Sequence, residues 1–301
     1  MAGFAILEAP SVLGLFPRGV ELLPATLLEA GIADTLGARH AGRVTPPPYD
    51  PRRDEASGVL NPTGLRDYAH ELADATGGVL DAGDFPVVLG GDCSILLGSM
   101  LALRRRGRHG LLFIDGHADF YQPEAEPNGE AASMDLALAT GRGPDIVANL
   151  EGRGPLVLDE DVVQFARRDA AEAAGAGSQR IEDTRITVID LAEVRRRGIE
   201  RAARDAVGHL QRPELDGFWI HLDCDALDDA VMPAVDYRLP GGLSWGELEA
   251  VLGIAIASEV AVGLEITIFN PSLDADGSIA QALVTCLARG LAGSPRSPAR
   301  P

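Results

Sequence analysis

Short apolar runs alternate with longer amphipathic stretches along the chain. Seven runs are rich in Val, Ile, Leu or Phe, which is typical of buried strands: residues 4–7, 85–89, 110–114, 162–165, 185–191, 217–223 and 260–265. The stretches between them place apolar residues at helical spacing and predict helices at residues 19–33, 64–76, 95–103, 133–140, 170–175, 192–210, 243–257 and 278–291. The repeated order of strand, short turn and helix indicates an α/β fold with a parallel sheet.

Several segments have the composition of loops or helix ends. Residues 43–57 are rich in Pro and charge, and residues 121–130 form a polar loop of the kind that borders a pocket. Ser244 and Glu247 predict a capping box at the start of one helix. We predict one domain over residues 1–293 and a disordered tail over residues 294–301, which are short and rich in Pro and Arg.

Composition narrows the class of protein. With 301 residues and 46% hydrophobic content, the chain can form one large core. Its formal charge of −19 disfavours nucleic acid and anionic membranes as partners. No apolar run reaches the roughly 20 residues of a membrane-spanning helix, and the first residues lack the basic start of a signal peptide. The three cysteines have no paired spacing, so we expect a cytoplasmic protein without disulfides.

Polar groups that can bind a metal follow the apolar run at 110–114. Asp115, His117 and Asp119 alternate, so an extended backbone would direct all three to one side. Two carboxylates and an imidazole at one strand end repel or crowd one another unless a cation lies between them. This segment therefore predicts a divalent metal site.

A second acidic cluster follows the run at 217–223. Asp223 and Asp225 flank Cys224, so they are expected to share a face while Cys224 points away. Cys93 occupies a third strand end, after a pair of glycines. One Asp at a strand end is usually a turn or a helix cap, but acids repeated on separate strands at one sheet edge favour metal binding.

These motifs resemble the metal-binding signatures of the arginase/agmatinase (ureohydrolase) family; they read GGDCS at 90–94, DGHAD at 115–119 and DCDALD at 223–228. Weaker matches include residues 241–243 and the Asn270-Pro271 pair. The resemblance implies an arginase-like three-layer sandwich with a central parallel sheet. It also implies a manganese site with one or two ions, in which a bridging hydroxide attacks a guanidine or amidine carbon.

The resemblance further implies a set of ligands. Asp115 and Asp223 would bridge two ions, His117 and Asp225 would complete one ion, and Cys93 and Asp119 the other. Asp119 and His117 are the predicted catalytic residues. Oxygen ligands with an imidazole suit Mn²⁺, and a bound metal lowers the pKa of water towards neutrality.

The chain departs from the family pattern at the first metal ligand, because Cys93 stands where the signature normally has His. Some ureohydrolases that act on hydroxyarginine also have Cys here, which favours a variant enzyme. A thiolate is a softer ligand than an imidazole, so the ion it contacts would be bound differently. The alternative is that Cys93 is a small buried core residue without a ligand role.

Other departures concern the substrate. Ala132 replaces the His that helps to protonate the leaving amine, and Ile268 replaces the Glu that binds the guanidinium. Ala171 and Tyr121 replace residues that contact the amino-acid end of arginine. We assign substrate binding to Tyr121, Asn128 and Glu265, while Glu265 could also be a structural acid at a strand end. His221 shares a face with Asp223 and is either a support for the metal site or an ordinary strand histidine.

The sequence therefore predicts a manganese-dependent amidinohydrolase that cuts a carbon–nitrogen bond in a small linear guanidino substrate other than arginine. One alternative is a formimino- or amide-bond hydrolase, and another is a catalytically silent binding protein on the same scaffold. From the resemblance we expect a homo-oligomer, either a trimer or a hexamer.

Overall fold

Eight strands form one sheet in the computed structural model, which describes residues 3–292. The strands are β1 (Phe4–Ala9), β2 (Arg39–Arg43), β3 (Phe85–Gly90), β4 (Gly110–Ile114), β5 (Val162–Phe165), β6 (Thr187–Ile189), β7 (Phe218–Asp223) and β8 (Ala261–Thr267). Their order across the sheet is β2-β1-β3-β8-β7-β4-β5-β6, and all neighbours are parallel. The predicted parallel sheet is confirmed, whereas the tail at 294–301 lies outside the described residues.

Helices connect the strands and cover both faces of the sheet. They are α1 (Leu23–Glu29), α2 (Ile32–Leu36), α3 (Pro62–Asp81), α4 (Leu96–Arg104), α5 (Asp135–Ala139), α6 (Asp145–Ala148), α7 (Ala170–Ala176), α8 (Leu191–Arg197), α9 (Ile199–Leu210), α10 (Trp245–Ala257) and α11 (Ser278–Leu291). Short 3-10 turns precede several of them, at Val20–Leu22, Cys93–Ile95 and Ala131–Ser133 among others.

The core consists of two layers, one on each face of the sheet. Phe4 and Ile6 of β1 pack into the layer that α9, α10 and α11 cover. Leu7 of the same strand packs into the layer that α3 and α4 cover, because successive strand residues point to opposite faces. This arrangement confirms the three-layer α/β sandwich in a single domain.

Strand β2 was missed by the sequence analysis. Its residues are polar or small, and all five are exposed or half-buried, so it has no apolar run to indicate a strand. It joins the edge of the sheet through backbone pairing with β1. Edge strands with charged side chains are common, because such residues discourage pairing with other molecules.

Two predicted helices are each divided by a glycine. The predicted helix at 19–33 is a 3-10 turn followed by α1, and Gly31 with φ 87° separates α1 from α2. The predicted helix at 192–210 is divided into α8 and α9 by Gly198, which has φ 81°. Left-handed backbone of this kind favours glycine and ends a helix.

Other boundaries agree with the sequence more closely. Ser244 and Glu247 form the predicted capping box at the start of α10, and α11 spans the predicted residues. Helix α5 and strand β6 are shorter than predicted. Among the described residues, none of the helices combines the length and apolar character needed to cross a bilayer.

Candidate metal centre

The candidate ligands lie at the carboxyl ends of three strands. Cys93 follows β3, Asp115 to Asp119 follow β4, and Asp223 to Asp225 end β7. In the sheet β7 and β4 are neighbours, and β8 alone separates β3 from β7. Parallel strands place these ends at one edge, where groups from distant segments can meet.

The six predicted metal ligands come together in two groups of three. Cys93, Asp119 and Asp223 form one group, and Asp115, His117 and Asp225 form the other. Within each group the possible ligand atoms lie within 4.8 Å of one another. The pairing of Cys93 with Asp119 and of His117 with Asp225 is the pairing expected from the sequence. A bridging role for Asp115 and Asp223 stays a prediction.

The backbone that presents these groups is more tightly turned than predicted. Asp119 has φ 44°, and residues Cys224–Ala226 form a 3-10 turn, so the expected extended alternation is wrong at both places. The cause is local hydrogen bonding. Asp115 Oδ1 accepts from the His117 amide at 2.6 Å, and Asp223 Oδ1 accepts from the Asp225 amide at 2.7 Å.

Gly116 permits the close approach of the two acidic segments. A side chain there would overlap the Arg168 guanidinium and meet Asp225 Oδ1, to which the Gly116 amide donates a hydrogen bond of 3.1 Å. Arg168 in turn donates to the backbone carbonyls of Asp225 and Leu227. The glycine therefore lets the end of β7 lie directly against the end of β4.

Burial and mutual repulsion make the acids of this centre hard to ionise. Burial, followed by neighbouring carboxylates, raises the pKa of Asp115, Asp119 and Asp223 well above the ordinary range. Bound divalent cations would reverse this effect by neutralising the charges.

His117 forms a close ion pair with Asp225, and its Nδ1 also lies 3.8 Å from Asp115 Oδ1. In the close pair, His117 Nδ1 and Asp225 Oδ2 are 2.9 Å apart. Burial opposes the charged imidazole, but Asp225 outweighs it and raises the pKa of His117 to about 10. Burial likewise opposes ionised Asp225, yet His117 lowers the pKa of Asp225 below its ordinary value. A metal at this group would displace the proton from His117.

The donor atoms fit a divalent transition metal. Asp115 Oδ2 is buried and has no hydrogen-bond partner among residues 3–292, as a carboxylate oxygen reserved for a cation would be. The Cys93 thiol donates to Asp223 Oδ2 at 2.9 Å and contacts Thr267 Oγ1 at 3.2 Å. Burial, followed by Asp223, raises the pKa of this thiol. Oxygen, nitrogen and sulfur donors in one centre suit Mn²⁺ or a softer ion.

Glu265 does not lie where its predicted role requires. It is fully buried on β8 and accepts hydrogen bonds from Ser99 Oγ at 2.6 Å and His221 Nδ1 at 2.7 Å. The His221 ring stacks on Phe113, with centroids 4.5 Å apart. Glu265 therefore supports the sheet beneath the centre and is absent from the described cavity lining, which favours the alternative role of a structural acid at a strand end.

A cavity of about 410 Å³ opens above the two groups. Tyr121 and Asn128, which we predicted to bind substrate, both line it. Ala132 and Ile268 line it as well, so the described wall has small or apolar side chains where His and Glu were expected from the family pattern. Five of the candidate metal ligands belong to the same lining: Cys93, His117, Asp119, Asp223 and Asp225.

Three acids near the centre were missed by the sequence analysis. Asp135 is fully buried, and its Oδ2 has no partner in the described part of the chain. The negative charge of Asp135 repels that of Asp119 and so helps to raise the pKa of Asp119. Glu126 and Glu130 line the cavity from the polar loop at 121–130. Asp135 begins an otherwise apolar helix, and the two glutamates lie in a polar loop where acids are common. The neighbouring residues therefore do not indicate that these three acids lie near the centre.

Comparisons with known proteins agree with the fold. The profile of the arginase family matches residues 3–293. An arginase of Staphylococcus aureus (strain COL) is 27% identical over 288 residues, which are 93% of this chain and 94% of that protein.

Solved structures of arginases also match this chain over nearly its whole length. The arginase structure from Bacillus caldovelox superposes with a TM-score of 0.88 at 26% identity and covers 97% of this chain and 98% of its own. The arginase structure from Bacillus cereus superposes with a TM-score of 0.85 at 25% identity, with the same coverage.

Proposed function

The chain belongs to the arginase family, and on this basis we propose that it is a manganese-dependent hydrolase of a guanidino carbon–nitrogen bond in a small linear substrate. The observation that carries the proposal is the convergence of six potential ligands in two groups at the base of one cavity. An accidental cluster of four buried aspartates would be strongly unfavourable without cations to neutralise it.

In this proposal each of the two groups would bind one metal ion. Asp115, His117 and Asp225 would hold one ion, while Cys93, Asp119 and Asp223 would hold the other. When bound, manganese supplies an activated water for attack on the guanidino carbon. The difference in donors, an imidazole in one group and a thiol in the other, predicts unequal affinities.

The protein's own residues position the reactants. Asp119 is a ligand that also lines the cavity, so its carboxylate can accept a hydrogen bond and orient the attacking water. His117 is 17% exposed through its side chain and lines the same cavity, so as a ligand it would hold its ion beside the reacting group.

The substrate proposed here is not arginine. Ile268 gives the cavity wall an apolar side chain in place of a guanidinium-binding carboxylate, and Ala132 offers no proton to a leaving group. Tyr121 replaces an amide that would contact an amino-acid end. An amidine that does not depend on a carboxylate at position 268, such as a hydroxyguanidine, fits this wall better.

The same apolar side chain at Ile268 favours one alternative. A formimino group is smaller than a guanidino group, and the loss of the carboxylate at position 268 permits it, so a formimino- or amide-bond hydrolase is the second candidate. Release of ammonia or formamide without urea would identify it.

The test is a substrate screen on the manganese-loaded protein. Arginine, hydroxyarginine, agmatine and other guanidino compounds would be assayed for urea or hydroxyurea. Metal content would be measured on the same samples, and Asp115→Asn would serve as the inactive control. If a protein with bound manganese releases neither product from any guanidino compound, the proposed function is wrong.

A further inference from the structure

One fully buried acid beside the candidate metal centre has a carboxylate oxygen without a partner. Asp135, at the start of α5, has no solvent exposure, and its Oδ2 accepts no hydrogen bond within residues 3–292. Its Oδ1 accepts from the amide of the next residue, Leu136, at 2.8 Å. Burial, followed by the Glu265 carboxylate, raises the pKa of Asp135 well above the ordinary range. A buried acid among other acids is costly, so a positive group is expected to neutralise it.

The backbone around Asp135 packs against two of the candidate ligands. The 3-10 turn at Ala131–Ser133, which precedes Asp135, packs against the turn that begins with Cys93. Ala137, which follows two residues later, donates from its amide to the Asp119 carbonyl at 3.3 Å. Asp135 is thus held between the segments that carry Cys93 and Asp119, which belong to one group of candidate ligands.

Electrostatic effects also place the Asp135 carboxylate among these ligands. Burial and then Asp223 raise the pKa of the Cys93 thiol, and Asp135 has the next largest effect, ahead of Asp119. Burial and then Asp135 raise the pKa of Asp119. Repulsion between equally buried charges falls with distance, so Asp135 lies beside both residues. The free oxygen of Asp135 therefore belongs with the Cys93 group, which consists of Cys93, Asp119 and Asp223.

A role in the helix does not explain the burial of this acid. An acid in the first turn of a helix interacts favourably with the helix dipole. Helix α5 has five residues, so this effect is small, and it does not require the acid to be withdrawn from water. Asp135 is also absent from the described cavity lining, which favours a role towards the centre over contact with a substrate. The unpaired oxygen therefore indicates a cation on the side of the centre.

We propose that Asp135 is a fourth ligand of the metal ion bound by the Cys93 group. This inference rests on the proposed function, because it uses the same metal centre. With Asp135, the group offers one sulfur and three carboxylates, whereas the group of His117 offers one nitrogen and two carboxylates. An additional carboxylate strengthens the binding of a divalent cation and satisfies the buried Oδ2 at the same time.

The test is a titration of the metal-free protein with Co²⁺, followed by absorption spectroscopy. A thiolate bound to Co²⁺ gives a sulfur-to-metal charge-transfer band in the near ultraviolet. Cys93→Ala should abolish this band, which assigns it to the Cys93 group. We expect Asp135→Asn to raise the Co²⁺ concentration at the midpoint of the band by about tenfold or more.

A matched variant separates metal binding from the loss of any buried acid. Glu265→Gln neutralises another fully buried acid, whose oxygens already accept hydrogen bonds from Ser99 and His221. It should shift the midpoint of the band by less than about twofold. The metal-free Asp135→Asn protein should keep or increase its free energy of unfolding, because a buried like charge is removed. Lower stability of this variant with an unchanged Co²⁺ midpoint would overturn the inference and assign Asp135 a structural role.

A second measurement does not depend on any variant. A crystal structure of the wild-type protein with Co²⁺ should show an Asp135 oxygen at about 2.0–2.2 Å from the ion of the Cys93 group. An ion bound there with Asp135 outside bonding distance would overturn the inference.

These measurements are independent of turnover, so failure of the inference differs from failure of the proposed function. A band in the wild-type protein that Asp135→Asn leaves unshifted contradicts the inference alone. Absence of the band from the wild-type protein also contradicts the inference, because sulfur would then bind no ion. The expected shift, in a protein that hydrolyses no guanidino compound, supports the inference and contradicts only the proposed function.

Discussion

The thiol of Cys93 donates a 2.9 Å hydrogen bond to Oδ2 of Asp223, and this contact joins the end of β3 to the end of β7. Sulfur thus lies beside the carboxylate with which it would share a cation. Because burial and Asp223 raise the pKa of the thiol, the proton stays on sulfur until a metal replaces it. The contact places the sulfur beside a candidate ligand, as a ligand role for Cys93 would require.

Removal of this thiol should weaken metal binding at one group. Cys93→Ala is expected to lower the manganese content by up to one ion per chain, because the group of Cys93, Asp119 and Asp223 loses one of three donors. Inductively coupled plasma mass spectrometry of the dialysed protein would measure it. Cys286→Ala is the control, since it removes a buried thiol of α11 that belongs to neither group of candidate ligands. Equal metal content in both variants would favour a core role for Cys93.

Asp115→Asn should separate metal binding from stability. The variant keeps the acceptor for the His117 amide but loses the charge that a cation needs. We expect the loss of at least one manganese ion, together with an unchanged or slightly higher free energy of unfolding for the metal-free protein. The second effect follows because a buried like charge is removed. Metal analysis and urea denaturation with chelator would test both, and a strongly destabilised metal-free variant would contradict the account.

The metal-free protein should lose stability as the pH rises from about 6 to 9. The folded-state pKa values of Asp115, Asp119 and Asp223 are raised, so their contribution is complete at low pH and is lost as the pH increases. His117 acts in the same direction, from its ordinary value of 6.5 up to about 10.

Manganese should flatten this trend, because it neutralises the same carboxylates. The melting temperature would be measured by calorimetry across the pH range at constant ionic strength, with chelator and with manganese. The difference between the two curves should widen with pH. A melting temperature that rises with pH in chelator would show that the pKa values of these acids are not raised in the folded protein.

Glu265 should affect stability and leave substrate affinity unchanged. Glu265→Ala leaves the Ser99 hydroxyl and His221 Nδ1 without their acceptor, which would cost about 2–4 kcal/mol. Ser99→Ala removes one of these bonds and should cost about 1 kcal/mol. Urea denaturation measures the loss, and KM of the metal-loaded variants should stay within about twofold. A tenfold rise in KM with normal stability would restore the predicted substrate-binding role.

Substitution of two glycines by alanine should change the stability of the protein in opposite directions. A methyl group at Gly91, beside the Cys93 turn, would overlap the carbonyl of Ser11, so Gly91→Ala should destabilise the protein by about 2 kcal/mol or more. Gly78 lies in α3 with open space around it, so Gly78→Ala should stabilise the protein by about 0.5–1 kcal/mol. Denaturant midpoints would show the two signs, and a neutral Gly91→Ala would disprove the close packing at this turn.

The elements that the sequence predicts correctly are those whose characteristic pattern lies within a few neighbouring residues. Apolar runs bounded by turn residues gave β3, β4 and β7, and Ser244 with Glu247 gave the start of α10. The signal is missing for β2, because a strand that is held at a sheet edge by backbone pairing and by ion pairs needs no apolar pattern.

The sequence by itself determined which side chains could bind a metal, since acids and a histidine at strand ends stand out locally. Tertiary structure alone decided which of them meet and which acids face the cavity. Glu265 has partners 166 and 44 residues away, and their positions direct its carboxylate into the sheet. Glu130 is oriented by Tyr237, 107 residues away. The direction of a buried side chain depends on the partners that satisfy it, and those partners come from chain segments that only folding brings together.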